Sequence, residues 1–75
     1  MKPFTLQGDP GVIGYVIIHP ESGYLTNYGD FNKNKHGLFL IPNLTLAKKL
    51  CKKFPGAKVQ VVTAIGLGKI VFRSK

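Results

Sequence analysis

The stretch Asn43-Leu44-Thr45-Leu46-Ala47-Lys48-Lys49-Leu50-Cys51-Lys52-Lys53-Phe54-Pro55-Gly56 decides the fold. It alone in the chain carries a helical period. At about 100° per residue, Leu44, Leu46, Ala47, Leu50, Cys51 and Phe54 fall on one side. Thr45, Lys48, Lys49, Lys52 and Lys53 fall on the other. Asn43 is a good N-cap, because its side-chain oxygen can accept from a free amide of the first turn. Pro55 cannot continue a helix, and Gly56 accepts the left-handed turn that follows one. The expectation is a short helix of about three turns, with one face for packing and one face of lysines.

Outward from the helix, the flanks read as strands. Residues 12–18, Val-Ile-Gly-Tyr-Val-Ile-Ile, are β-branched or aromatic almost throughout and apolar on both faces. That pattern suggests a central strand covered on part of each side. His19-Pro20-Glu21-Ser22-Gly23 has turn composition, and residues 24–28 read as the returning strand. Residues 29–37 hold glycines, asparagines, Lys33, Lys35 and His36, with only Phe31 to bury, and read as a basic loop. The short apolar run 38–41 precedes Pro42, which disfavours helix at Ile41, so a third strand is expected there. Beyond Gly56, residues 58–63 are strongly β-forming, and residues 69–72 form a further short run available as a fifth strand or hairpin partner.

The fold class expected is therefore α+β: a small, mainly antiparallel sheet of three to five strands in the order β-β-β-α-β, with one amphipathic helix on one face. Residues 1–75 make a single domain, with 1–11 a flexible arm broken by Pro3, Gly8, Pro10 and Gly11, and 73–75 a flexible tail. A sheet this small is marginal alone. Burial of the helix's apolar face is what offsets the chain entropy.

Composition narrows the function. Eleven Lys and Arg against three acids give a net charge of +8 on 75 residues. Such a field favours acidic partners: nucleic acid, an anionic membrane or an acidic protein surface. One cysteine excludes an internal disulfide, in keeping with a reducing cytoplasm. No apolar run approaches the roughly 20 residues a membrane span needs, and the N-terminus lacks the apolar stretch of a signal peptide.

Catalytic chemistry finds little support. Asp9, Glu21 and Asp30 show no paired-carboxylate spacing. His19, His36 and Cys51 lack zinc-site spacing, and Cys51 lies in the apolar arc, where a small buried thiol is expected. Gly66-Leu67-Gly68-Lys69 lacks the full phosphate-loop pattern, and Gly8, Gly11 and Gly14 precede a strand instead of following one. No enzyme, metal or cofactor is expected. A single arginine does not favour base-specific DNA readout, whereas lysines suffice for phosphates and Tyr24, Tyr28 and Phe31 offer rings for stacking on single strands. The plain alternative is that the lysines keep a small domain in solution.

Residues 15–62 resemble a pattern found in small phage-encoded proteins. The matching pieces are Tyr15-Val16-Ile17-Ile18, Ser22-Gly23-Tyr24-Leu25-Thr26, Gly29-Asp30-Phe31, Leu38-Phe39-Leu40-Ile41, Ala47-Lys48-Lys49-Leu50 and Val59-Gln60-Val61-Val62. Size, charge and arm also look like those of phage regulators that bind host RNA polymerase. The resemblance implies a non-enzymatic protein that occupies a surface of a large host enzyme and inhibits or modulates transcription; a monomer in the cytoplasm is expected. It transfers no binding residues. Charge and expected exposure nominate Lys48, Lys49, Lys52, Lys53, Lys33, Lys35, His36, Tyr28, Phe31, Lys2, Phe4 and Arg73 for contact with an acidic protein surface. The runner-up is a basic module for non-specific DNA or RNA binding, and the third reading is an inhibitor of another host enzyme.

Overall fold

The computed structural model describes residues 11–34 and 37–74. Its elements are β1 (Val12–His19), β2 (Gly23–Leu25), β3 (Phe31–Asn32), α1 (Leu44–Cys51), β4 (Lys58–Thr63) and β5 (Gly66–Arg73). The strands form one antiparallel sheet in the order β3-β2-β1-β4-β5. The helix packs on one face, so the fold is the expected α+β arrangement. Residues 1–10 of the expected arm and residue 75 of the expected tail lie outside the described residues.

β1 is central, as its two apolar faces predict. Ile17 is fully buried on the helix side and Val16 is fully buried on the opposite side. Directly opposed residues of an antiparallel pair share a face. The row Ile17–Val59–Phe72 therefore faces α1, and it forms the core with Leu25, Ile41, Ala47, Cys51 and Ala57. The opposite face carries the row Tyr24–Ile18–Lys58–Arg73.

The helix starts where Asn43 predicts. Asn43 is extended (φ −140°, ψ 151°), and its Oδ1 accepts from the Leu46 amide at 2.9 Å. Lys48 and Lys49 lie in the last turn, where the helix dipole favours cations. Regular α-helix ends at Cys51 after eight residues, shorter than expected. Tighter bonds from Lys53 to Leu50 and from Phe54 to Cys51 extend the coil to Phe54. Ala47 and Cys51 are fully buried, but Leu46 is 49% exposed despite its place in the apolar arc. It stands on the flank of the helix that faces residues 39–42.

The returning strand expected over 24–28 stops at Leu25, and two further segments depart from expectation, for connected reasons. Residues 29–37 are not wholly a loop, because Phe31–Asn32 pairs with β2 as β3. The turn that brings it back is closed by Thr26. Its hydroxyl donates to Asp30 Oδ1 at 2.6 Å and accepts from the Tyr28 amide at 3.1 Å. Residues 38–41 are not a continuous third strand. β1 and β2 pair only through Ile18–Tyr24 and His19–Gly23, then splay apart. The 38–41 segment bridges that gap, with Leu38 pairing to Thr26 and Ile41 to Tyr15. Ile41 is buried in the core, while Phe39 and Leu40 remain substantially exposed.

The C-terminal run is a true strand. β4 and β5 form a hairpin with irregular register, in which Val71 is the extra residue between the Val59–Phe72 and Gln60–Ile70 pairs. The bulge lets both Val71 and Phe72 pack against the core. The expected tail at 73–75 is ordered in its first part: Arg73 belongs to β5, and the Ser74 amide donates to Ala57 O at 2.8 Å.

Candidate functional site

The four helix lysines do not form one surface. Lys49 and Lys53 stand on the flank of α1 that faces residues 39–42. There they rim a cavity of about 430 Å³ whose other walls are Phe39, Leu40, Ile41, Pro42, Leu46 and Leu50. The exposed side chains Phe39, Leu40 and Leu46 give it an apolar floor. A second hollow of about 210 Å³ adjoins it, sharing Phe39 and Leu50 and continuing to Phe54 and the 25–29 segment. Together they make a groove along one side of the helix. No acidic residue lines either part.

Lys48 and Lys52 occupy the other flank. Lys48 is half-buried, and its Nζ sits 5.6 Å from the centroid of the Phe72 ring. That geometry is a cation–π contact, and it takes Lys48 out of the solvated face. Lys52, the C-cap residue, lines a hollow of about 410 Å³ with Phe72, Arg73 and Ser74. Arg73 is exposed on the edge strand.

The expected basic loop separates into unlike parts. Tyr28 is 84% exposed in the turn beyond the Leu25–Phe31 pair. Lys33 is exposed beyond Asn32, at the Gly23 end of the same hairpin. The two are thus at opposite ends of the hairpin and not beside each other. Phe31 is half-buried. Its ring meets His19 at 6.1 Å and Phe54 at 5.1 Å, both edge-on, which commits it to packing. Lys2, Phe4, Lys35 and His36 lie outside the described residues.

Among the described residues no lysine or arginine is held in an ion pair. The described acids are Glu21 and Asp30, and the Asp30 carboxylate accepts from Thr26. Cys51 is buried, and burial pushes its thiol above the ordinary range against a smaller opposing effect of a Ser74 backbone hydrogen bond. A protonated, covered thiol is a poor nucleophile. No group of three metal-binding side chains occurs among the described residues, and no helix there is long and apolar enough to cross a membrane.

Sequence reasoning missed Phe39, Leu40 and Leu46 as surface residues. The available signal was the unbroken run Leu38-Phe39-Leu40-Ile41, which supplies more apolar side chains than one face of a short strand can bury. Comparison with known proteins adds no relative: no family model, curated protein or solved structure matches the chain.

Proposed function

We propose that this chain is a non-enzymatic binding protein that docks on an acidic surface of a larger protein through the groove between α1 and residues 39–42. The observation that carries the reading is the composition of that groove. Exposed Phe39, Leu40 and Leu46 line it together with Lys49 and Lys53, with no acid in the lining. An apolar floor with a rim of one charge suits a partner segment that presents apolar side chains flanked by carboxylates. The phage-regulator resemblance puts bacterial RNA polymerase first among such partners. Occupying its surface would inhibit or modulate transcription without any chemistry by this protein.

The test is a titration of labelled protein against purified, nuclease-treated bacterial RNA polymerase over a salt series. The reading expects saturable binding that weakens as salt rises, because rim charges are screened. Absence of binding at low salt, or binding that disappears with nuclease treatment, would contradict it.

A further inference from the structure

The open end of the β4–β5 hairpin carries a pair of cations that no acid among the described residues neutralises. Lys58, at the start of β4, lies directly opposite Arg73, at the end of β5, and the two side chains share a face of the sheet. Like charges directly opposed across strands destabilise the pairing. Lys58 is also half-buried, so water screens it less than a free surface lysine. Glu21 and Asp30, the described acids, form no ion pair with either.

The surface beside this pair is concave. A hollow of about 400 Å³ is lined by Lys58, Ile70, Val71, Phe72 and Arg73. Phe72 and Arg73 also form the wall of the hollow that Lys52 lines. The Ser74 amide bond to Ala57 O ties down the chain that follows Arg73.

We propose that this hairpin end is a phosphate-binding position, separate from the groove on the other flank of α1. Arg73 supplies the planar fork that matches two phosphate oxygens, and Lys58 supplies a point charge beside it. A bound dianion turns the Lys58–Arg73 repulsion into shared attraction. The phosphate comes either free or as part of a nucleic-acid backbone.

Two-dimensional amide NMR of the whole chain tests this with inorganic phosphate as probe, against chloride at equal ionic strength. Saturable shifts at Lys58, Phe72, Arg73 and Ser74 are expected with phosphate and not with chloride. Arg73→Gln removes them, yet in chloride it melts no lower than wild type, because the like-charge opposition is gone. Shifts spread evenly over all lysines, shifts equal in chloride, or shifts that survive Arg73→Gln overturn the proposal. A short oligothymidylate separates the sources. At least tenfold tighter binding than phosphate, lost in Arg73→Gln, assigns the backbone; equal affinity assigns free phosphate. The Lys49→Glu/Lys53→Glu variant keeps these shifts even where polymerase binding fails, so the two readings stand or fall separately.

Discussion

The rings of Phe31 and Phe54 meet edge to face, with centroids 5.1 Å apart and planes inclined at 81°. Phe31 belongs to the two-residue strand β3 at one edge of the sheet, and Phe54 to the turn that ends the helix. Their contact joins the weakest strand to the end of α1. An edge-to-face pair contributes about 0.5–1.5 kcal/mol beyond its buried area. A double-mutant cycle of Phe31→Leu and Phe54→Leu, measured by urea unfolding, is expected to give a coupling in that range. A coupling near zero would mean that β3 is held by its backbone bonds alone.

Leu46 and Leu50 share the apolar arc of the helix but have different surroundings. Leu50 packs against the buried core, while Leu46 is 49% exposed. Leu50→Asp is expected to destabilise by at least about 2 kcal/mol, the lower end for truncating a core leucine, and to unfold so small a domain. Leu46→Asp should stay within roughly 0.5 kcal/mol of wild type, as exposed substitutions do. Thermal melts of the two variants check this, and equal melting temperatures would refute the assigned orientation of the helix.

Gly23 and Gly29 both have left-handed backbone, with φ of +97° and +88°. A Cβ on Gly23 would lie 2.6 Å from the Asn32 carbonyl carbon and oxygen, whereas one on Gly29 would meet open space. Alanine at Gly29 should therefore cost only the left-handed penalty of about 1–2 kcal/mol. Alanine at Gly23 should cost clearly more, because backbone of β3 must move. Equilibrium unfolding of Gly23→Ala and Gly29→Ala gives the comparison.

Cys51 offers a pH-dependent check. The folded state holds the thiol proton more tightly than the unfolded chain, since burial raises its pKa. Its contribution to stability is complete below the ordinary thiol range, near ~8.5, and is lost as pH rises through the raised folded value. Wild type should lose stability at alkaline pH more steeply than Cys51→Ala. At pH 7 a thiol reagent should react slowly with the native protein and rapidly in urea.

The elements legible in the sequence were those set by local pattern. Asn43, the 3.6-residue period and Pro55-Gly56 located the helix, and the two-faced apolar run 12–18 located the central strand. The elements misread were set by what lies beside them. Phe31–Asn32 became a strand because the Thr26–Asp30 hydrogen bond reverses the chain there. Residues 38–41 lost strand character because they bridge two diverging partners. The candidate site was legible in its charge but not in its division. Consecutive lysines point to different flanks, so Lys48 joins Phe72 while Lys49 joins Leu46, and only the packed helix separates them.

That division allows a direct test of the docking claim. Lys49→Glu/Lys53→Glu and Lys52→Glu/Arg73→Glu change net charge by the same amount, so they alter long-range steering equally and differ only in which flank they reverse. Affinity for purified, nuclease-treated bacterial RNA polymerase should be measured for both, alongside Leu46→Asp, with folding verified by circular dichroism. The account predicts at least about a tenfold loss, ~1.4 kcal/mol, for Lys49→Glu/Lys53→Glu and for Leu46→Asp, and a smaller loss for Lys52→Glu/Arg73→Glu. Equal losses from the two charge reversals, or full affinity in folded Leu46→Asp, would contradict it.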